Sequence, residues 1–229
     1  MRRPILISFS GLDGSGKTTQ ITNVRVRLAE LGLRDLLLAF WDNVVVGCRY
    51  REGFVHKVYK SEIGVGAPGK PVNRRDKNVR KWYLTLARHG LYFLDALHLV
   101  WVVSQAMRSG ADVVILDRYI YDELANLPLS NPLTRAYVRF VHWMVPRPDV
   151  AFLLDADPVA ANLRKPEYPV DFMRENRARY FALAALLGSI TVIPPLPLEE
   201  AKQAVVTVLM EELGTGVEST AGPEARAVA

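Results

Sequence analysis

The chain has 229 residues, half of them apolar and 23% charged, the balance of a globular protein with one sizeable core and not of a disordered, collagenous or disulfide-stapled chain. Its net charge of +5 is too modest to point to nucleic acid, and no zinc-ligand spacing, recognition helix or aromatic ladder accompanies it. A single cysteine, Cys48, leaves no internal disulfide and fits a reducing compartment. Met1-Arg2-Arg3 leads straight into an apolar run without the cleavage site of a secretory leader, so a cytoplasmic location is expected.

That run, Ile5-Leu6-Ile7-Ser8-Phe9, reads as a strand buried on both faces. It enters the stretch Ser10-Gly11-Leu12-Asp13-Gly14-Ser15-Gly16-Lys17-Thr18-Thr19, and residues 19–31 follow with helical character, stopped at Gly32. Leu36-Leu37-Leu38-Ala39-Phe40-Trp41 predicts a second strand. Residues 42–78 resist assignment, and Gly64, Gly66, Pro68, Gly69 and Pro71 mark a loop in their second half, long enough to suggest a functional element. A basic segment, about 42–81 with Arg74-Arg75 and Arg80-Lys81 in it, is suited to an anionic acceptor or is a solvated loop. Helical spacing resumes near Lys77 and runs to Arg108 with a break around Gly90. Its most apolar part, 90–103, holds Asp95 and His98, is too short to span a bilayer and reads as core.

Asp112-Val113-Val114-Ile115-Leu116 is the third predicted strand, and it delivers Asp117-Arg118-Tyr119 to its C-terminal end. Helical segments interrupted near Pro128 and Pro132 lead to a fourth strand, Val150-Ala151-Phe152-Leu153-Leu154, ending at Asp155. Beyond it come a helix over 159–164, a polar segment over 165–170, a long helix over 171–187, a strand over 190–193, a helix over 198–213 and a flexible tail over 214–229. This alternation predicts one α/β domain over 1–213, a five-stranded parallel sheet with helices on both faces. Ligands of such sheets bind at the C-terminal strand ends, where the glycine-rich stretch, Asp42, Asp117-Arg118 and Asp155 are all expected.

Gly11 to Thr18 satisfies the phosphate-binding pattern G-x-x-x-x-G-K-[ST], in the strand-loop-helix setting the pattern requires, so the expected architecture is the three-layer P-loop NTPase fold. Gly11, Gly14 and Gly16 let successive backbone N–H groups turn inward as an anion nest, and the following helix adds the positive end of its dipole. Lys17 reaches the β- and γ-phosphates and the Thr18 hydroxyl ligates Mg²⁺, with Asp13, Ser15 and Thr19 in the same nucleotide-binding stretch. Asp117 is suited to hold Mg²⁺ through water and Arg118 to bridge donor and acceptor phosphates, and a structural ion pair at the strand end is the alternative. Arg164 and Arg174 bracket a lid at about 164–174 whose cations would close over the transferring group. Of the neighbouring Lys165, Arg177 and Arg179, the last is the first choice for a plain surface charge. Tyr119, Tyr121 and Tyr180 either stack on a base or pack in the core, and His56, His89, His98 and His142 lack metal-ligand spacing.

Taken together, the chain resembles the thymidylate kinase family of nucleoside monophosphate kinases from about residue 4 to about residue 213. Phe9 to Gln20 resembles that family's phosphate loop, including the internal aspartate, and Asp117-Arg118-Tyr119 matches its D-R-Y. Leu154-Asp155, Pro158 and Arg164 are similar to its L-D-x-x-P segment before the lid, and Arg177 and Tyr180 with Leu183-Ala184 to the helix after it. The resemblance implies transfer of the ATP γ-phosphoryl group with Mg²⁺, Asp13 near the acceptor sugar, Arg118 between donor and acceptor and Arg164 in the lid. Departures lie on the acceptor side. Trp41-Asp42-Asn43-Val44 replaces an R-E-P-G-G-like turn, Leu97 stands at the arginine of F-A-A-D-R, and Asp122-Glu123-Leu124-Ala125-Asn126-Leu127 replaces S-x-x-A-Y-Q, with leucine at the thymine-reading glutamine.

The leading expectation is therefore an ATP- and Mg²⁺-dependent kinase acting on a small acceptor, a nucleotide such as dTMP, with no nucleic acid or membrane partner. Beside it stand a non-catalytic nucleotide-binding protein that engages a partner and, less well matched in size and motifs, a phosphate-loop ATPase. A homodimer through the 91–103 face is compatible with the resemblance, although that face is favoured here as core.

Overall fold

The structure, a computed structural model, describes residues 3–46 and 82–218. Five strands, β1 (Ile5–Gly11), β2 (Asp35–Ala39), β3 (Val113–Asp117), β4 (Val150–Leu154) and β5 (Thr191–Ile193), form one parallel sheet in the order β2-β3-β1-β4-β5. β1 is central: Ile7 lies opposite Ile115 of β3 on one side and Val150 of β4 on the other. All seven of its residues are buried, which is why its sequence is a continuous apolar run and not an alternating one.

Alternation along the strands sorts side chains into two layers. Ile5, Ile7, Phe9, Val113, Ile115, Phe152 and Leu154 pack against α1 (Lys17–Glu30) and against Val205 and Leu209 of the last helix, with the Phe9 and Phe152 rings stacked 5.0 Å apart. The opposite set, Leu6, Val114, Leu116, Ala151 and Leu153, meets the helices of the second layer. In chain order the helices after α1 are α2 (Phe40–Asn43), α3 (Trp82–Ala106), α4 (Ile120–Leu124), α5 (Pro132–Met144), α6 (Pro158–Arg164), α7 (Val170–Leu187) and α8 (Leu198–Glu218).

Local chemistry explains most boundaries. α1 ends in a Schellman arrangement, with Gly32 N–H donating to Ala29 O (3.0 Å) and Leu33 N–H to Leu28 O (2.9 Å). Asn131 caps α5 and Asp157 caps α6 by accepting from N–H groups of the first turn.

Four expectations are corrected. β2 stops at Ala39: Asn43 Oδ1 accepts from Ala39 N–H at 2.9 Å and the chain curls into α2, burying Phe40 and leaving Trp41 43% exposed. α3 runs unbroken through Gly90, because its packing outweighs the roughly 1 kcal/mol that a helical glycine costs. Ala96, Leu99 and Val103 bury one side of α3, while Leu94, Leu97 and Trp101 are exposed, so the 91–103 face is not wholly core. α8 continues past Leu213 to Glu218 instead of giving way to a tail. Most of the basic segment 42–81, with Cys48, lies outside the described residues, as does the chain beyond 218. Among the described residues no helix is long and apolar enough to cross a membrane.

Candidate functional site

Connections leave β1 toward β2 on one side and β4 toward β5 on the other, so a crevice opens at the C-terminal ends of these neighbouring strands. The glycine-rich loop fills that position. Gly11 (φ +142°) and Gly14 (φ +80°) are held where a Cβ would stand 2.4 Å from Leu154 O and 2.5 Å from Ala161 O, so only glycine lets the loop lie against β4 and α6. α1 then begins at Lys17 with no side chain capping its first turn, which leaves those N–H groups directed toward the crevice. Ser15 Oγ, also in the loop, is buried with no hydrogen-bond partner among the described residues.

Lys17 is 8% exposed, and its Nζ donates to Gly11 O (2.9 Å) and Leu12 O (2.7 Å). Burial, aided by the Arg118 charge, lowers its pKa to about 8, against the pull of Asp13, Asp122 and Asp117. That one ammonium group feels all four charges places the loop, the end of β3 and the start of α4 at one locus.

Arg118 is the one non-glycine residue with positive φ (68°) among the described residues. Its N–H donates to Phe9 O at 2.9 Å, extending the β1–β3 ladder by one bond before the chain turns into α4. The turn sends the guanidinium back over the loop, where it bonds Asp13 and, at 3.2 Å, Asp122. Burial alone would lower its pKa, but the Asp122 and Asp13 carboxylates more than offset that and hold it above the ordinary arginine value. Asp117 lies opposite Phe9 of β1 and Ala39 of β2 at the same strand end. Thr18 and Thr19 are exposed on the first turn of α1.

The lid cations divide. Arg164 Nε donates to Gly14 O at 2.9 Å, so it reaches the loop from the end of α6. Arg174 does not: it is exposed and pairs at 3.1 Å with Asp171 on its own helix. Arg177, ranked below both in the sequence, instead grips Asp155 with Nε and Nη2 at 2.6 Å each, in the fork geometry that only arginine provides. Arg179 pairs with Glu175 one turn back, and Lys165 with Glu167. Asp42 is exposed on α2.

Asp122 is the residue that sequence reasoning missed. It accepts from Ser10 Oγ (2.6 Å), Tyr180 OH (2.7 Å), Tyr119 N–H (3.2 Å) and Arg118. The i, i+4 spacing from Arg118 was legible, but Ser10 and Tyr180 meet it only through the fold. Tyr119, Tyr121 and Tyr180 are buried, the first donating to Pro146 O, so all three belong to the core. Leu127 is buried in the same layer, and Leu97 faces outward.

The donor set suits a magnesium polyphosphate better than a bare metal. Among the described residues no group of three His, Cys, Asp or Glu side chains is placed to hold a metal ion by itself, whereas Mg²⁺ needs few protein oxygens when phosphates supply others. The fold and this site define a P-loop kinase of the nucleoside monophosphate kinase type. No family model matches the chain. A probable thymidylate kinase of Pyrococcus abyssi is 26% identical, covering 92% of this chain and 98% of that protein. A thymidylate kinase of Bifidobacterium longum subsp. infantis is 27% identical over 79% of this chain and 74% of its own length. Among solved structures, the thymidylate kinase of Ehrlichia chaffeensis shares the fold, with a TM-score of 0.57 and 17% identity over 90% of this chain and 99% of that one. Over most of its length the chain is thus similar in sequence to thymidylate kinases, and in fold to one of them.

Proposed function

We propose that this chain transfers the γ-phosphoryl group of ATP, with Mg²⁺, to a nucleoside monophosphate, dTMP being the first acceptor to test. The observation that carries the reading is the convergence of Lys17, Arg118 and Asp13 on a glycine-lined cradle at the head of α1. The names of the curated relatives support the choice of acceptor.

An acceptor phosphate oxygen attacks the γ-phosphorus, and the bond from that phosphorus to the β,γ-bridging oxygen breaks, leaving ADP. Lys17 exchanges its two carbonyl partners for β- and γ-phosphate oxygens and stays protonated among them. Arg118 supplies charge where the equatorial oxygens become more negative. Arg164 gives up the Gly14 carbonyl to close over the donor, and Asp13 orients Arg118 and the acceptor sugar. Thr18 and, through water, Asp117 would hold Mg²⁺, which neutralises donor phosphate charge. Arg174, paired with Asp171 on its own helix, contacts neither the loop nor Arg118 and is assigned no role in the transfer. With Leu97 and Leu127 at positions that would otherwise read the acceptor, residues elsewhere must bind its phosphate and base.

The test is a panel of nucleoside monophosphates with Mg-ATP, scored by ADP release and phosphorylated product. Turnover with dTMP or a close relative is expected, and folded Lys17→Ala loses it. ATP binding with no product from any acceptor defeats the proposal in favour of a non-catalytic nucleotide-binding protein. We further propose a homodimer through the exposed side of α3, where Leu94, Leu97 and Trp101 form an apolar strip.

A further inference from the structure

We propose that Asp122 is the positioning residue for Arg118, fixing its guanidinium over the phosphate loop and linking it through Tyr180 to the helix that follows the lid. This rests on the reading of Arg118 as a phosphate-contacting group, and it adds a residue whose role the loop and D-R-Y motifs do not assign.

An arginine side chain gives up several rotatable bonds' worth of freedom when immobilised. Something must restrain it before substrate arrives if it is to act without reorganising. Arg118 is restrained at both ends of its fork: Nη2 donates to Asp13 and Nη1 to Asp122 Oδ1. Two of its five N–H groups are used in this way, and three remain for phosphate oxygens. Asp13 is a loop residue with a side chain 22% exposed, whereas the Asp122 side chain is 3% exposed.

Asp122 is itself immobile, because its two oxygens accept from four directions. Ser10 Oγ and Tyr119 N–H meet Oδ2, and Tyr180 OH and Arg118 meet Oδ1. Four donors saturate the lone pairs of a carboxylate. Ser10 belongs to the central strand, buried along its whole length, so the carboxylate is referenced to the middle of the sheet. Tyr180 belongs to α7, whose N-terminal end adjoins the 165–169 segment. A shift of α7 as the lid closes is therefore transmitted to the oxygen that holds Arg118. A serine, the residue of the resembled S-x-x-A-Y-Q segment, would offer one neutral oxygen. Aspartate offers a charge-assisted bond of about twice the strength and a second oxygen for Ser10.

Asp122→Asn, Asp122→Ser and Tyr180→Phe test this in the full chain. For the two Asp122 variants kcat is expected to fall about 10–100-fold while KM for ATP stays within about threefold, the pattern of an interaction made in the transition state. Arg118→Ala is expected to recover part of its activity with added guanidinium, and the double variant Arg118→Ala/Asp122→Asn is not. Tyr180→Phe should lower kcat several-fold at unchanged ATP KM. Should Asp122→Asn prove unfolded by thermal melting, Tyr180→Phe carries the test. Unchanged kcat in a folded variant, or equal rescue of the single and double variants, overturns the proposal. A further measurement needs no turnover: ¹⁵N NMR of Arg118 should show slow guanidinium rotation in the parent chain and fast rotation in Asp122→Asn. Equal rotation in the two overturns the role of Asp122, whereas an inactive parent chain with slow rotation overturns only the kinase reading.

Discussion

Lys17 and Gly14 show how far single residues carry the site. The free ammonium group of Lys17 is held near pKa 8, and a bound polyphosphate would raise that value. Nucleotide binding therefore takes up a proton around and above pH 8, and affinity should fall with rising pH by up to about tenfold per unit there. Titration calorimetry with Mg-ATP in two buffers of different ionisation heat checks this, and the absence of proton uptake at pH 8.5 would count against it. The sign for stability is opposite. The folded pKa lies below the ordinary 10.5, so the penalty for burying the charge is complete below about pH 8 and is relieved as pH rises toward 10.5. Gly14→Ala must place a Cβ 2.5 Å from Ala161 O at φ +80°. Left-handed strain and overpacking together predict a loss of about 2–4 kcal/mol, read by denaturant titration, with weaker nucleotide binding. The turn that favours glycine here was legible in the glycine-rich run 11–16, but α6 as the neighbour that enforces it was not.

At the scale of elements, α6 and α7 are attached to the strand ends by specific polar contacts. Arg164 reaches the Gly14 carbonyl, and the Asp155–Arg177 fork joins the end of β4 to α7. Removing Arg177 leaves the Asp155 carboxylate, with a side chain 4% exposed, without its main partner. Arg177→Met should therefore cost about 1–3 kcal/mol in denaturant unfolding. Arg174→Met breaks a pair whose aspartate is 93% exposed and should cost within about 0.5 kcal/mol. Equal costs would mean the fork does not anchor the helix. Sequence spacing ranked Arg174 above Arg177, whereas the contact to Asp155 depends on which of the two faces β4. The end of β2 was misread for a related reason. An apolar run through Phe40 and Trp41 looks the same whether it continues extended or curls, and the Asn43 bond to Ala39 N–H decides it.

For the whole molecule, the parallel order β2-β3-β1-β4-β5 brings residues more than a hundred positions apart to one end of the sheet. Among the described residues α3 leaves one side uncovered, with Leu94, Leu97 and Trp101 facing outward and the His98 ring stacked on Trp101 at 5.5 Å. If a second copy covers it, sedimentation equilibrium should give twice the chain mass, and Leu97→Glu/Trp101→Glu should give a monomer of unchanged helicity. A monomeric parent chain would remove the proposal.

Local order along the chain was enough for the layer architecture, the phosphate loop and the D-R-Y carboxylate and guanidinium, because strand runs, glycine turns and the helix start depend on near neighbours. The partners of those residues came from the folded chain. Ser10 and Tyr180 on Asp122, Ala161 against Gly14 and Arg177 on Asp155 are all contacts between different elements of the chain, set by how helices pack on a twisted sheet. The chemistry of each group is written in its residue type, and its orientation is set by packing against the sheet.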